Sequence, residues 1–579
     1  MTVNGAFIPA RYIRCGALLI ALGSSADTLA LCESGNSDSF NIYWGDLHAH
    51  TGYSLDAWGY GTQRSPVDAY AFARGETVNG RSGLERPLDF LAVTDHAEWY
   101  DLLYLCTDPG GVEHATCTDL LTKNNPVDGA QLFGKYVLPS ITQAQPQRLA
   151  LCDANPQRCE DAAIAQWKRV QQQANDANVP CEFTTLIGFE WSATPEYSHT
   201  HRNVIFSSDQ VVPTAIDYIR YPSLEQLWRS LDEGCKAEHG CQAITIPHNT
   251  NMGDGKSFDV ETESDRLLAY RQRYERLSEI HQEKGNSECL PESPRRTSSD
   301  CGFEISLTDH SRPAKADNFD DERWQIMRSS YVRQLLLRGL NAWEARGINP
   351  LQLGIIGSTD GHRAAPGDVE DDAWGGSVFG HGDLDRQMQR KVWNPGGLVA
   401  ALAHENTRDS LFEALRERRV YATSGPRIRL NFAALQADAE LSCDTVHAAN
   451  GAILMGGELT KSTNPSFRII AFQDRAGLQR IEIIKGSLRQ GRLTEQVIDV
   501  WTSDALDGAS SHCVVWRDPT FNSSEPSFWY ARVHQVPTPR WSRVACRDAG
   551  RCAEFADSDV DIQERAWSSP IWYLPSTSQ

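Results

Sequence analysis

Imidazoles and carboxylates recur in short segments of this chain: Gly45-Asp-Leu-His48-Ala-His50-Thr-Gly-Tyr-Ser-Leu-Asp56, Thr94-Asp95-His96, Gly188-Phe-Glu190-Trp-Ser, His199-Thr-His201-Arg-Asn, Ile246-Pro-His248-Asn and Gly357-Ser-Thr-Asp360-Gly-His362. Nitrogen and oxygen donors without thiolates make a divalent-metal set that suits Zn, Mn or Fe, and ligand type does not choose among them. One H-x-H pair carries little weight. With 16 His in 579 residues, about 0.4 such pairs are expected by chance. Repetition carries the weight, because successive strand ends all bear His, Asp or Glu. In a strand, residues i and i+2 face one side, so alternate histidines can converge on one ion.

The elements that must position these groups are legible as short apolar runs. Asn41–Trp44, Leu88–Thr94, Phe183–Phe189, Ala243–Ile246 and Leu353–Ile356 read as buried strands, nearly continuous in hydrophobicity as in a parallel sheet covered on both faces. Helical stretches separate them at Val67–Ala73, Ala162–Ala174, Ser223–Leu231 and Asp409–Arg418. Strand alternating with helix predicts α/β, and the length favours a barrel-type layout whose strand C-termini share one rim. Residues 101–180 and 254–345 interrupt the rhythm as insertions, the second with helical segments at Arg266–Ile280 and Arg323–Arg338. Insertions of this length cover active sites or decorate surfaces. Beyond Gly425-Pro-Arg427 the strands Phe467–Phe472, Arg480–Ile484, Val497–Trp501 and Phe528–Val533 follow without helices. They predict an antiparallel, sandwich-like β domain over 428–579 after a catalytic unit over 27–427.

Composition narrows the partners. With 55 basic against 76 acidic residues, the net charge is −21, the wrong balance for a phosphate-backbone binder or an anionic membrane coat. Arg11 and Arg14, the apolar run Gly16–Gly23 and the small residues Ser24, Ser25 and Ala26 describe a secretory signal peptide over 1–26. No segment is apolar for the ~20 residues that a membrane span requires. The expected location is periplasmic or secreted. Of 15 Cys, one lies in that leader. Close couples are Cys106/Cys117, Cys152/Cys159, Cys235/Cys241, Cys289/Cys301 and Cys546/Cys552, with Cys32, Cys181, Cys443 and Cys513 left over. Spacing does not fix connectivity, but structural disulfides in an oxidising compartment are the plain reading.

The order H-x-H, T-D-H, G-F-E, P-H and D-x-H resembles that of the polymerase-and-histidinol-phosphatase (PHP) superfamily of metallohydrolases, over about residues 41–427. The segment Asn406–Arg427 resembles its carbaryl-hydrolase-like branch, and Tyr43–Asp56 with Gly354–His362 resembles a poorly characterised bacterial group within it. The resemblance implies a distorted (βα)7 TIM-like barrel with two or three divalent ions (Mn, Zn or Fe) at the rim. By the same resemblance His48, His50, Glu190 and Asp360 hold one ion. Glu190 bridges to a second ion on His201 and His248, with His199 competing for the place of His201. Asp56, His96 and His362 hold a third. Asp46 and Asp95 become carboxylates that orient histidines. The implied chemistry is hydrolysis by metal-activated hydroxide, with Glu190 and Asp360 at the reacting centre and negative charge met by a cation. Arg202 is the first candidate for that cation, and Lys284 and Arg427 follow. The expected substrate is an anionic small molecule, a phosphate mono- or diester or a phosphonate ester. The alternatives are a carboxylic or carbamate ester at the same metals, or a non-catalytic polymer-binding protein.

Overall fold

The computed structural model describes Cys32 and residues 40–108, 111–296, 300–309, 312–380, 383–389, 392–435, 442–443, 451–460 and 464–575. The expected leader at 1–26 lies outside the described residues. Strands β1 (Asn41–Asp46), β2 (Phe90–Val93) and β3 (Thr184–Trp191) pair in parallel, with Gly45 opposite Phe90 and Phe90 opposite Thr184. A Cβ on Gly45 would stand 2.3 Å from the Phe90 ring, so glycine lets the two strands approach. Strands β4 (Arg202–Phe206) and β5 (Ala243–Pro247) then add antiparallel. The connection from β3 to β4, residues 192–201, is too short for a parallel crossover, which needs a dozen or more residues. Strands β6 (Leu277–Gln282) and β7 (Gly354–Gly357) pair in parallel in a separate sheet. On the other side of β1, strands β8 (Leu398–Ala403) and β9 (Val420–Thr423) follow antiparallel.

The protein is therefore mixed α/β as expected, but it is not a closed barrel. Among the described residues no backbone ladder joins β5 to β6 or β7 to β8, although these strands lie side by side. The antiparallel strands β4 and β8 break the βαβ repetition that closure of a parallel barrel requires. Beyond the strand ends the two sheets do touch through backbone: His50 N–H donates to Gly361 O at 3.0 Å, Asp360 N–H to His48 O at 2.7 Å and Gly397 N–H to Ser358 O at 2.8 Å.

The helices cover this sheet. Helix α1 (Pro66–Ala73) starts with a capping box between Ser65 and Asp68, two orphan N–H groups satisfied reciprocally. Helix α2 (Pro156–Ala177) buries Cys159, Ala162, Ala163, Gln166, Trp167, Val170, Ala174 and Ala177 at helical spacing. Its Trp167 meets Phe189 edge-on at 5.4 Å, a contact of roughly 3 kcal/mol with its burial that fastens the insertion to β3. Helix α3 (Leu224–Gly234) and helix α4 (Asp265–Tyr274) pack together. The helix expected over Arg266–Ile280 ends at Tyr274, and Leu277–Gln282 is β6 instead. Its parallel ladder to β7 and full burial override a local composition that reads as helical. The helix expected over Arg323–Arg338 is two, Asp321–Arg328 and α5 (Val332–Arg346). Among the described residues no helix is long and apolar enough to cross a membrane.

Past residue 427 the expected antiparallel strands are present. Strands β10 (Arg429–Leu435), β11 (Ser466–Phe472), β12 (Leu478–Arg489), β13 (Arg492–Thr502), β14 (Ser511–Arg517) and β15 (Ser527–Gln535) build two sheets, β10-β11-β14 and β13-β12-β15. They face each other across Phe432, Phe467, Ile481 and Trp529, with Phe467 and Trp529 at 5.0 Å, as in a sandwich. The second sheet continues the first part of the chain: β15 pairs with β16 (Arg565–Ser568), and β16 pairs with β9. The five close cysteine couples are disulfides, and the remaining four cysteines pair as Cys32–Cys181 and Cys443–Cys513.

Candidate metal centre

The ends of β1, β2, β3, β5 and β7 deliver their side chains to one place. Glu190, at 1% exposure, is the hub. Its Oε2 lies 3.2 Å from His48 Nε2 and 3.3 Å from His50 Nε2, and the same two nitrogens stand 3.3 and 3.2 Å from Asp360 Oδ1. Its other oxygen, Oε1, lies 2.6 Å from His201 Nδ1 and 3.3 Å from His248 Nε2. A third group gathers on Asp56 Oδ2, 3.2 Å from His96 Nε2 and 3.0 Å from His362 Nε2. All nine expected ligand residues thus converge in three neighbouring groups. His199 stacks on His201 at 4.8 Å, while His201 alone of the two meets Glu190.

Side chains behind these groups fix the rings. His48 Nδ1 donates to Glu279 Oε2 at 3.0 Å, which keeps its Nε2 turned to Glu190 and Asp360. Asp95 accepts from Thr51 N–H at 2.6 Å and from Ser54 Oγ–H at 2.7 Å, and Ser54 Oγ lies 2.9 Å from His50 Nδ1. Asp95 so orients His50 through a serine. Asp46 acts on backbone rather than on a ring: it accepts from His48 N–H at 3.1 Å, Thr359 N–H at 3.2 Å and Gly367 N–H at 3.0 Å. Asp360 sits at φ +53°, a left-handed conformation that side chains adopt at a cost and that concentrates at functional sites. Gln282 Nε2 donates to its Oδ2 at 2.6 Å, and the Lys284 ammonium pairs with the same oxygen.

The charges follow from this crowding. Burial opposes ionisation of Glu190, yet His96, His248 and His201 hold its carboxyl well below the usual carboxylate range. Burial is likewise overcome at Asp360 by His48 and Lys284, and at Asp56 by His362 and His96. Burial pushes His248 down to about 3 and His362 down to about 4, so both are neutral imidazoles with a free lone pair at neutral pH. His48 and His96 are raised well above 6.5 despite burial, His48 by Asp360 and Glu279, His96 by Glu190 and Asp56.

Two proposed cations are elsewhere. Arg202 is fully buried and donates to Glu275 at 2.7 Å, Thr200 O at 2.9 Å and Ser257 O at 2.8 Å. His201, the last residue before β4, faces the centre, while Arg202, the first residue of β4, turns into the buried Glu275 contact. Arg427 donates to Arg86 O and Pro87 O, at 2.6 and 2.9 Å, on another part of the surface. Lys284 does line the cavity above the centre. That cavity measures about 440 Å³, and both insertions reach it, through Phe133, Val137, Leu138 and Ile141 of the first and Ser306 and Thr308 of the second.

The donor set fits divalent cations. His50 Nε2 and His248 Nε2 are buried without a hydrogen-bond partner, yet each stands 3.2–3.3 Å from a carboxylate oxygen. Most buried polar atoms of folded proteins are paired. The sets His48/His50/Asp360, His48/Glu190/His248 and His50/His96/His362 each bring their donor atoms within 4.8 Å of one another.

Sequence reasoning did not find Glu279, Gln282, Ser54, Ser192 or Thr194. Ser192 Oγ and Thr194 Oγ1 contact His96 Nδ1 and His201 Nε2, each at 2.6 Å. Serine and threonine carry no signal of their own. Glu279 and Gln282 lie in Leu277-Ser-Glu-Ile-His-Gln, which shows no strand alternation and overlaps the stretch expected to be helical.

Among proteins of known sequence, an uncharacterized protein of Chlamydia pneumoniae is 24% identical over 414 residues, 70% of this chain and 49% of its own length. The chain thus spans about half the length of that curated relative. Among solved structures, a two-domain protein from Bacteroides vulgatus, described as containing a predicted PHP-like metal-dependent phosphoesterase, aligns at 10% identity with a TM-score of 0.31, covering 86% of this chain and 92% of that one. Residues 37–511 and 505–575 match the model of DUF3604, described as a protein of unknown function, and the chain belongs to that family.

Proposed function

We propose that the protein is a metal-dependent hydrolase of the PHP type that cleaves ester bonds, phosphate esters first. One observation carries the reading: the two oxygens of Glu190 are divided between two sets of buried donors, His48, His50 and Asp360 on one side and His201 and His248 on the other. These residues would hold two ions, and Asp56, His96 and His362 would hold a third. Bound there, Mn, Zn or Fe ions would supply Lewis acidity and lower the pKa of a coordinated water.

The chain's own residues do the rest. Glu279 and the Asp95–Ser54 relay keep His48 and His50 in one tautomer and orientation. Lys284 sets a positive charge beside Asp360 at the cavity floor, where charge developing on a substrate oxygen can meet it. The apolar walls exclude water and strengthen each of these interactions. Export to a periplasmic or extracellular space accompanies this reading, supported by the seven disulfides among the described residues, since such bonds persist in oxidising compartments.

A screen of 4-nitrophenyl phosphate, bis-4-nitrophenyl phosphate and 4-nitrophenyl acetate with Mn or Zn tests the proposal. Turnover of a phosphate ester that Glu190→Gln abolishes together with metal content supports it. Turnover of the acetate alone moves the bond to carboxylic or carbamate esters. No turnover of any ester by metal-replete protein overturns it.

A further inference from the structure

The floor of the cavity is polar and its walls are not. Phe133, Val137, Leu138 and Ile141 line it from the first insertion, and Phe379, Val392 and Trp393 from the segment after β7. Aromatic surface begins at the ligand imidazoles themselves. Trp99 meets His96 edge-on at 5.6 Å. Phe379 stands 6.2 Å from His362, and Trp393 continues from Phe379 at 4.9 Å. Against this, Lys284 is the one lysine or arginine lining the cavity among the described residues. An apolar cavity with a few convergent polar groups fits one small ligand with an apolar body.

The wall containing Trp393 is held from the C-terminal part of the chain. Trp541 Nε1–H donates to Trp393 O at 3.0 Å, and Arg540 donates to the same oxygen at 3.2 Å. Arg540 also forms a bidentate pair with Glu304, 2.7 Å on each arm, next to the rim residues Ser306 and Thr308. Both residues are buried, Arg540 at 7% and Trp541 at 3% exposure. A planar guanidinium fork is suited to fixing two segments in one geometry.

We infer that the substrate is an ester whose non-reacting group is bulky, apolar and ring-containing, and that Arg540 and Trp541 are positioning residues that hold the wall gripping it. For the reacting bond this rests on the hydrolase reading above; for the ring it rests on the walls alone.

The test uses full-length, metal-loaded protein. Binding of 1-naphthylmethylphosphonate and methylphosphonate, which share an anionic head and carry no scissile ester, is followed by tryptophan fluorescence. Turnover of benzyl and ethyl phosphate, whose leaving alcohols are of similar acidity, is measured beside it. Binding should favour the naphthyl compound by roughly 10–100-fold, and kcat/KM should favour the benzyl ester. Trp393→Ala should bring the binding ratio close to one. Trp541→Phe, which keeps an aromatic side chain and removes the N–H donor, should lower the ratio while the protein still melts as a folded protein. A ratio under about 3-fold in the wild type overturns the inference whether or not any ester is hydrolysed. A strong ratio without hydrolysis sustains the inference and counts against the hydrolase reading. A ratio that survives both substitutions overturns the role given to the Trp393 wall.

Discussion

Glu279 offers the most direct test of the centre, because it touches no substrate and no second ligand set. Its side chain is 0% exposed and receives the Nδ1 proton of His48 at 3.0 Å. Removing the outer partner of a metal-binding histidine typically costs 10–100-fold in metal affinity, about 1.4–2.7 kcal/mol. Two substitutions should divide that range. Glu279→Gln keeps the shape and one acceptor and loses the charge, which places it near 10-fold. Glu279→Leu leaves a buried N–H unpaired, which places it near 100-fold and destabilises the metal-free protein by a further ~1–3 kcal/mol. Competition with a chromogenic chelator for Zn or Mn measures the affinity, and thermal melting with and without EDTA measures the stability. If both variants bound metal as tightly as the wild type, His48 would not be a ligand held by Glu279, and the reading of the centre would fail with it.

Other consequences follow from the same geometry. Carboxylates raise His48 well above 6.5 in the metal-free protein despite burial, so an ion must displace that proton: affinity should fall as pH falls, and the decline should already be under way above pH 6.5 in chelator competition run from pH 5 to 9. A pH-independent affinity over that range would refute this. Arg202→Ala removes one of the two arginines on buried Glu275 and leaves Arg271, so it should cost stability, at most about 3–5 kcal/mol; kcat/KM for phosphate and acetate esters should drop by the same factor, and a loss confined to phosphate esters would return Arg202 to the substrate. Cys181→Ser opens a disulfide closing a separation of 149 residues, worth at most about 5 kcal/mol by chain entropy; an unchanged melting temperature would show that the unfolded chain is not the state being constrained.

Most of the candidate ligands were legible because they lie at the ends of runs whose hydrophobicity alone predicts a strand. His48 and His50 at i and i+2, and His96, Glu190, His248 and Asp360 after their own strands, needed only the assumption that strand ends share a rim. That assumption survives although the barrel does not close, since convergence needs neighbouring strand ends and not a complete ladder. Arg202 shows that adjacency in sequence to a candidate ligand is no guide to contact: His201 ends the connection and Arg202 begins β4 facing elsewhere. Arg202 instead closes the buried group of Glu275, Arg271 and Glu263.

Glu279 was hidden for a different reason. Arg266–Ile280 is rich in Arg, Glu and Leu, and local propensity reads it as one helix, but Leu277 and Ile280 are each 0% exposed and the segment pairs with β7. Propensity is decided within a few residues, while a parallel pairing is decided by a partner far along the chain, so tertiary context wins at such a boundary. The consequence reaches the chemistry. Because β6 lies beside β7, the strand that carries the partner of His48 adjoins the strand that leads to Asp360, and Gln282 and Lys284, on and just beyond β6, both reach the Asp360 carboxylate. One misread element therefore concealed the groups that fix two candidate ligands at once. What a sequence shows of such a centre is the atoms that would touch the ions; what it withholds is the layer that aims them, since that layer is assembled across strands and leaves no spacing of its own.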